Sequence, residues 1–418
     1  MARLRGVILG IRNVLLQDLG DGKGRIDDTA FEETGKLVKY LHANSIQPIV
    51  LANHDWTVSD GAGKKHPLKD VLESEWKGQF EWCIATKDGP AKQTAAALEG
   101  LRSKLTLAPN ETIYIGNSDT DMQSAVNGKT LFLNALWYGD TTEYGFRCSN
   151  PMEVGRFIDT FCLREHHWYF RIEDGDLRVY SLAPYSTMLA DFKEYSESLI
   201  DTVKHKLGDK DEIDFWGKYL CTSTYFSGVY ETVDYICPYP GHTQGSVPRV
   251  LEGPMQTFAK CFRKRFIPDL LLRHTDAIES KRNRDTVDHL NQLNTIRLNQ
   301  HPEKSPGNPY ASCPVKSGKT VLVVDDILSN GLSFEAARAF LKNAGANVIC
   351  VSFLKTMKRE YRALGNFARF PSTPYDAYSF SDVTVRKEYD YRSHIVDASA
   401  PKELSAKLEK YMAWKWPS

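Results

Sequence analysis

The chain has 418 residues, of which 42% are hydrophobic and 25% charged, so it can build large apolar cores and is not a disordered or collagen-like polypeptide. Its 53 lysine and arginine residues equal its 53 aspartate and glutamate residues, which excludes a global electrostatic attraction to nucleic acid or to an anionic membrane. At about 150 residues per domain, this length predicts two or three domains.

The first 135 residues or so alternate short strand patterns with helical patterns, which predicts a parallel sheet covered by helices. We place this first α/β domain at residues 1–150. Thr29 and Glu32 have the spacing of a capping box at the start of its first helix. The predicted strands are residues 7–9, 48–52, 112–116 and 130–133, and the predicted helices are an apolar stripe through Leu37, Val38 and Leu41 and the segment 95–101.

The pattern changes after residue 150. Two strand-like segments flank Asp174 and Gly175, a strong β-hairpin turn signal, which predicts a linker and hairpin over 151–185. A second α/β domain is predicted over 186–375, and a C-terminal extension over 376–418. Their predicted elements are a helix over 189–203, a strand over 233–237, a strand over 320–326, a helix over 334–343, an irregular segment over 365–400 and an amphipathic helix over 401–414.

The eight cysteines form no CxxC pair and have no zinc-ligand spacing, so we expect free thiols in a reducing compartment. The N-terminal apolar run is interrupted at Gly10, too early for a signal sequence. No window approaches the ~18 apolar residues of a membrane helix. The sequence therefore predicts a cytoplasmic protein with no membrane partner, and it contains no strong nucleic-acid motif.

The most informative segment is an apolar strand over 321–324 that ends in Asp325 and Asp326. At the carboxyl end of a buried strand, where open α/β sheets bind ligands, two carboxylates can hold hydroxyl groups or a divalent cation. The following loop places Gly331 between two serines at the start of a helix, where N–H groups and the helix dipole favour an anion. The alternative is an ordinary strand that ends in two solvated aspartates.

This segment closely resembles the ribose-phosphate signature of type I phosphoribosyltransferases. The resemblance implies that Asp325 and Asp326 hold the ribose hydroxyls of phosphoribosyl diphosphate and bind Mg²⁺. The residues that it assigns to the 5-phosphate are Ser329, Asn330, Gly331, Leu332 and Ser333. The family usually has two threonines at positions 329 and 330, and Thr or Ser next to Gly at positions 332 and 333.

Two further segments resemble the same family. The strand over 233–237 and its loop look like the pyrophosphate loop, although without an anion the loop would be only a proline-rich turn. Residues 282–299 are similar to a run in competence protein F-like phosphoribosyltransferases, which implies a lid where Arg282 and Arg297 act in catalysis by neutralising pyrophosphate. The alternative is a solvated basic helix. The residues of the implied pyrophosphate loop are Tyr239, Pro240, Gly241 and His242.

The resemblance covers residues 186–360 and implies displacement at the anomeric carbon of ribose, with release of pyrophosphate, by an unidentified acceptor. The hairpin over 168–182 is expected to be the hood that selects this acceptor. An alternative of another class is a non-catalytic subunit of a bacterial multi-protein system that senses phosphoribosyl diphosphate or a nucleotide. A homo-oligomer or a protein partner is compatible with both.

The first domain resembles the haloacid dehalogenase (HAD) superfamily, whose phosphatases use one aspartate as nucleophile and another, two residues later, as acid and base. Gly10 and Arg12 stand at these two positions, and Asn117 stands at the position of a magnesium ligand. The resemblance therefore implies a catalytically inactive domain that acts as a scaffold, a dimerisation surface or a sensor. Lys87 matches the lysine that neutralises the phosphoryl group, and we expect it to form a salt bridge with Asp121.

Overall fold

The computed structural model describes residues 3–20, 23–59, 64–205, 210–246, 252–278, 289–367 and 377–417. In these residues the chain forms two six-stranded sheets flanked by helices, with one four-stranded and three two-stranded sheets beside them. The predicted α/β class with two mainly parallel sheets is confirmed. None of the described helices is long and apolar enough to cross a membrane.

The first part of the chain alternates strands and helices as its sequence predicts. Its strands are β1 (Gly6–Leu9), β2 (Gln17–Gly20), β3 (Lys23–Arg25), β4 (Gln47–Ala52), β5 (Thr57–Ser59), β6 (Lys65–Pro67), β7 (Glu81–Ile84), β8 (Thr112–Gly116), β9 (Leu131–Ala135) and β10 (Phe146–Cys148). Its helices are α1 (Asp28–Ala43), α2 (Leu68–Glu75), α3 (Ala85–Asp88), α4 (Ala95–Leu105), α5 (Asp119–Asn127) and α6 (Pro151–Phe157).

The first sheet has the strand order β10-β9-β8-β1-β4-β7, and every neighbouring pair is parallel. Strands β1, β8 and β9 are buried at every residue, because helices cover both faces of the sheet. From β1 the chain proceeds to β4 and β7 on one side, and later to β8, β9 and β10 on the other. The strand order therefore reverses between β1 and β8, which is where open α/β sheets bind ligands.

The second part of the chain contains the longer strands. Its strands are β11 (Phe170–Asp174), β12 (Leu177–Tyr185), β13 (Tyr235–Pro238), β14 (Arg265–Phe266), β15 (Leu271–Arg273), β16 (Ile296–Leu298), β17 (Glu303–Ser305), β18 (Asn308–Pro309), β19 (Thr320–Leu328), β20 (Asn347–Thr356), β21 (Tyr361–Phe367) and β22 (Val383–Tyr389). Its α-helices are α7 (Ala190–Ile200), α8 (Lys210–Phe226), α9 (Glu252–Cys261), α10 (His289–Leu293), α11 (Leu332–Asn343) and α12 (Ala400–Met412). Short 3-10 or π segments lie at Pro109–Glu111, Ile158–Cys162, Asp201–His205, Val229–Thr232, Phe380–Asp382 and Arg392–His394.

The second sheet has the strand order β11-β12-β20-β19-β13-β14, and it is parallel except for the β11/β12 hairpin. From β13 the chain proceeds outward to β14, and from β19 it proceeds in the opposite direction to β20. This order reverses between β13 and β19. The hairpin predicted within 151–185 forms as β11 and β12, and because β12 also pairs with β20 from Arg178 to Tyr185, the hairpin is the edge of the sheet. Its expected role as a hood stays a prediction.

Three local features differ from the sequence prediction. Helix α8 is absent from the prediction because every residue from Phe215 to Phe226 except Lys218 is buried, which leaves no one-sided apolar stripe. The segment 365–400, expected to be irregular, contains the last residues of β21 and all of β22, and these two strands pair antiparallel. The N-cap of α1 is Asp27, whose carboxylate accepts the amide of Ala30 at 2.9 Å, rather than Thr29.

One apolar core runs through both parts of the chain. Helix α9 packs on β9 and β10 of the first sheet and on β13 and β14 of the second. The hydroxyl of Tyr225 in α8 donates to the carbonyl of Thr112 at 2.7 Å, and Trp416 donates to the Glu33 carboxylate of α1 at 2.8 Å. The two parts therefore share buried side chains across a common interface.

Candidate functional site

The loops that follow β13, β19 and β20 meet at one edge of the second sheet, because these neighbouring strands are parallel. The amide of Tyr239 donates to the carbonyl of Val324 at 2.7 Å, which fixes the loop 239–242 beside the end of β19. Asp325 and Asp326 follow Val324 directly. The two loops that the sequence predicts to bind phosphate groups therefore lie side by side where the strand order reverses.

The two aspartates are partly exposed at this edge. Oδ1 of Asp325 accepts the amide of Asp326 at 2.9 Å, and Oδ1 of Asp326 accepts the amide of Ile327 at 2.6 Å, so local hydrogen bonds orient both carboxylates. This donor set fits Mg²⁺, which is commonly held by one or two carboxylates, waters and the phosphates of a substrate. No group of three or more His, Cys, Asp or Glu side chains suited to a metal ion occurs in the described residues.

The loop after the aspartates requires glycine at position 331. Gly331 is the N-cap of α11 and has a φ of +88°, in the left-handed region. A Cβ at this position would also lie 2.5 Å from a ring carbon of Tyr361. The Tyr361 hydroxyl donates to the buried Glu335 carboxylate in the first turn of α11, and Glu335 accepts the amide of Leu364 at 2.8 Å. Strand β21 therefore supports the loop from one side.

A buried lysine holds the backbone of the loop that contains Gly331. Lys355, at the end of β20, is fully buried and donates to the carbonyls of Ser329 at 2.5 Å, Arg359 at 2.7 Å and Thr356 at 3.2 Å. Burial, together with the charge of Arg359, lowers the pKa of Lys355 to about 7. The lysine joins the phosphate loop to the turn that follows β20.

These contacts determine which way the peptide groups of the loop point. Lys355 holds the carbonyl of Ser329, and the amide of Arg362 holds the carbonyl of Asn330 at 3.0 Å. Because a trans peptide group directs its N–H opposite to its carbonyl, the N–H groups of Asn330 and Gly331 point away from these partners. Successive N–H groups at a helix N-terminus form a concavity that favours an anion.

The neighbouring loop 239–242 is held by a second buried cation, Arg273. Its side chain donates to the carbonyl of Gly241 at 2.8 Å and, less closely, to that of Pro240 at 3.4 Å. It also donates to Gln292 at 3.0 Å, and Gln292 accepts the hydroxyl of Tyr239 at 2.7 Å. Sequence reasoning assigned no role to Arg273, although a cation at the end of the apolar run 270–272 was a usable signal.

The corresponding edge of the first sheet has a different chemistry. Asp121 is fully buried in α5, and its carboxylate accepts from Lys92 at 2.6 Å, from Ser118 at 2.7 Å and from Tyr114 at 2.9 Å. Burial acts to raise the pKa of Asp121, but the Lys92 ammonium and the three hydrogen bonds outweigh it and hold the pKa below its usual value. The Asp121 carboxylate therefore accepts its hydrogen bonds from groups within the protein.

The expected salt bridge between Lys87 and Asp121 is wrong. Lys87 lies in the last turn of the short helix α3, where its side chain is 64% exposed and pairs with Asp55. Lys92 takes the buried position because Asn53 anchors its loop by accepting the Lys92 amide at 2.8 Å. The sequence match to a phosphate-binding lysine therefore identifies a surface residue.

In the first part, the positions that the resemblance assigns to catalysis and to a magnesium ligand hold Gly10, Arg12 and Asn117, which have structural roles. A Cβ on Gly10 would lie 2.9 Å from a carboxylate oxygen of Asp121, so glycine permits this close approach. Arg12 is exposed and pairs with Asp18 at 2.6 Å. The buried Asn117 donates to the carbonyl of Gly139 at 2.7 Å. A cleft of about 300 Å³ beside these residues is lined in part by Arg12 and Lys92.

A comparison with known families matches one segment in the second part of the chain. Residues 274–385 match the model of the phosphoribosyl transferase domain. The chain contains a phosphoribosyl transferase domain. The matched residues include β16, the acidic pair, the phosphate loop, Lys355 and β21. A comparison with curated proteins found no match.

Solved structures similar to this chain include hydrolases of the HAD superfamily and a phosphatase. One from Ehrlichia chaffeensis is 15% identical and covers 38% of this chain and 98% of its own, with a TM-score of 0.28. Another from Geobacter sulfurreducens is 13% identical and covers 36% and 94%, with a TM-score of 0.24. The cobalt-bound deoxy-D-mannose-octulosonate 8-phosphate phosphatase of Haemophilus influenzae is 18% identical and covers 32% and 69%, with a TM-score of 0.22. At these values they carry no inference about activity.

Two residues predicted to bind ligand are supports of the phosphoribosyl transferase domain. Tyr239 is buried, and both its amide and its hydroxyl are used inside the protein. Burial raises the pKa of Tyr239, an effect opposed by Arg273 and reinforced by Asp325. The Leu332 side chain is also buried, so only its backbone faces the loop. Ligand binding at positions 239 and 332 stays a prediction, and the burial of both side chains favours contact through the backbone.

The two predicted lid arginines differ in what the structure describes. Arg282 lies outside the described residues. Arg297 is in β16, opposite Leu272 of β15, and its charge acts with that of Arg273 and with burial to lower the pKa of His274. The carbonyl of the exposed His242 accepts the amide of Ala277 at 2.8 Å, which ties the loop 239–242 to the segment after β15. Positive charge is thus concentrated beside this loop.

Proposed function

We propose that the phosphoribosyl transferase domain binds phosphoribosyl diphosphate with Mg²⁺ and transfers the phosphoribosyl group to an acceptor, releasing pyrophosphate. One observation carries this proposal: two oriented carboxylates and two anion loops, each backed by a buried cation, meet where the strand order reverses. A sugar that carries hydroxyls between two phosphate groups is complementary to this arrangement.

Each part of the ligand has a chemically matched partner. Asp325 and Asp326 would accept the ribose hydroxyls, and the loop 329–333 would hold the 5-phosphate with its N–H groups. The loop 239–242 and Arg297 would hold the pyrophosphate. Bound Mg²⁺ would neutralise part of the charge on the leaving group. As the acceptor forms its bond to the anomeric carbon, the carbon–oxygen bond to pyrophosphate breaks, and pyrophosphate leaves with the bonding electron pair.

We further propose that the first part of the chain is not a phosphatase. Gly10 cannot form an aspartyl intermediate, and the remaining carboxylate of Asp121 is bonded to Lys92. In support of the proposed cytoplasmic location, all eight cysteines are free thiols in the structure. Since the two parts share one apolar core, the first part would act as a scaffold for the second.

Calorimetric titration with phosphoribosyl diphosphate and Mg²⁺ tests binding, and pyrophosphate release with a panel of bases as acceptors tests turnover. Arg297→Ala distinguishes an enzyme from a sensor, because it removes a charge expected to assist departure of pyrophosphate. We expect this variant to bind the ligand and to lose turnover. If it binds but native protein releases no pyrophosphate with any acceptor, the sensing alternative is favoured. Absence of ligand binding to native protein contradicts both.

A further inference from the structure

The three hydrogen bonds of Lys355 require its charged form. An ammonium group has three protons, and the carbonyls of Ser329, Thr356 and Arg359 accept one each. A neutral amine has only two protons to donate, so deprotonation breaks one of these bonds, and it weakens the other two because they lose the assistance of the positive charge. Because the Ser329 carbonyl belongs to the phosphate loop, the charge of Lys355 and the shape of that loop are linked.

The surroundings of Lys355 stabilise this charge only through backbone carbonyls and two aromatic rings. Its ammonium lies 5.4 Å from the ring centre of Phe170 in β11 and 5.6 Å from that of Tyr391. The Tyr391 hydroxyl is bonded to that of Tyr169 at 2.6 Å, and burial raises the pKa of both tyrosines, which keeps them neutral. Among the described residues no carboxylate forms an ion pair with Lys355. The charge that acts on its pKa is that of Arg359, which is also positive.

We propose that Lys355 is a positioning residue for phosphate binding, which holds the Ser329 carbonyl so that the Asn330 N–H points into the loop, and that loss of its charge weakens the binding of phosphoribosyl diphosphate. This inference rests on the proposed function of the same site. Lys355 does not contact the ligand, because its side chain is fully buried beneath the loop.

The expected pH dependence has opposite signs for binding and for stability. The pKa of Lys355 is lowered to about 7 in the folded protein, whereas an unfolded lysine has a pKa of about 10.4. Between these values the unfolded chain binds more protons, so the contribution of Lys355 to the free energy of unfolding rises with pH. Phosphate binding falls over the same range, because the charged form is lost. A weakening caused by general unfolding would change both in the same direction.

The test is calorimetric titration of the full chain with phosphoribosyl diphosphate and Mg²⁺ at pH values of about 6.5 and 8.5, on either side of the expected titration. Native protein, Lys355→Met and Lys319→Met are compared. Lys319 is a matched control, because it pairs with Asp234 at 3.0 Å at the opposite end of β19. The titration of the ligand itself affects all three proteins equally.

We expect the dissociation constant of native protein to rise by up to about tenfold per pH unit above the titration of Lys355, in excess of the effect of ligand titration. Lys319→Met should follow native protein. Lys355→Met should bind weakly at both pH values and lack the excess pH dependence. Equal affinities of native protein and Lys355→Met at both pH values would overturn the proposal.

A second measurement uses native protein alone, in case Lys355→Met does not fold. Titrations near pH 8 in two buffers of different ionisation enthalpy report the protons taken up on binding. We expect uptake of most of one proton per ligand beyond that of the ligand itself, and no uptake would overturn the proposal. If native protein and Lys319→Met bind no ligand at any pH, the proposed function itself fails, which is a distinct result.

Discussion

The two large sheets reverse their strand order in the same way, yet the sites at these two points have opposite chemistry. In the first sheet, Asp121 is fully buried and paired with Lys92 at 2.6 Å, and Gly10 leaves room for that carboxylate. In the second sheet, Asp325 and Asp326 remain partly exposed, and hydrogen bonds from the backbone orient them. The same topology therefore supports a closed internal ion pair in one case and an accessible acidic edge in the other.

The difference lies in where each site places its cations. Lys92 is bonded directly to the Asp121 carboxylate, so the two charges neutralise each other within the protein. Lys355 and Arg273 are bonded to backbone carbonyls beneath the loops, so they orient peptide groups of the two loops.

We expect the largest effect from Lys92→Met, which removes the cation paired with the buried Asp121 carboxylate. Removal of one partner from a buried pair leaves an uncompensated charge on Asp121, which should lower the free energy of unfolding by about 3–5 kcal/mol. Urea denaturation measures this loss. The double variant Lys92→Met with Asp121→Asn is the control, and we expect it to recover most of the stability because no buried charge remains. A double variant as unstable as the single one would contradict the account.

The acid dependence of stability provides a check with a definite sign. In native protein the pKa of Asp121 is lowered, so its contribution is present above the unfolded pKa of about 3.9 and is lost as pH falls through the folded value. In Lys92→Met burial is opposed by hydrogen bonds such as those from Ser118 and Tyr114 but no longer by the Lys92 ammonium, and we expect it to raise this pKa instead. The deficit of the variant should therefore shrink as the pH is lowered from neutral toward about 4, and a constant deficit would argue against the role of the pair.

An intermediate effect is expected from Gly331→Ala in the phosphate loop, with Gly318→Ala as its matched control. Both glycines have a positive φ, but a Cβ at position 318 has no heavy atom within 4 Å, whereas at 331 it would meet the Tyr361 ring. The backbone strain should cost each variant about 1–3 kcal/mol. The clash should cost Gly331→Ala at least about 1 kcal/mol more, and only this variant should lose affinity for phosphoribosyl diphosphate. Equal behaviour of the two variants in denaturation and titration would contradict this role.

The smallest effect is expected from Lys87→Ala. The pair with Asp55 is exposed at both side chains, and such pairs contribute little, so the free energy of unfolding should change by less than about 1 kcal/mol. Lys87 matches a family position, whereas Lys92 holds the buried carboxylate. Comparing Lys87→Ala with Lys92→Met therefore shows which of the two lysines stabilises the fold. A large loss of stability in Lys87→Ala would reverse that assignment.

The sequence predicts those features that have a local signal. Strand β19 has a continuous apolar run before Asp325 and Asp326, although it continues to Leu328, and the position of Gly331 follows from the turn that starts α11. Helix α8 has no such signal, because nearly all of its residues from Phe215 to Phe226 are buried. Lys355 and Arg273 are ordinary cations in the sequence, and their roles depend on carbonyls that only the folded chain brings to them. The same holds for Lys92, which is 29 residues from Asp121.

The central claim is that ligand binds at the edge of the second sheet and not in the cleft of the first. Thermal unfolding with phosphoribosyl diphosphate and Mg²⁺, compared between native protein and the double variant Asp325→Asn with Asp326→Asn, tests it most directly. At a ligand concentration about 100-fold above the dissociation constant, native protein should gain about 2.7 kcal/mol, and the double variant should gain almost none. An equal gain in both proteins would place the ligand elsewhere and contradict the account.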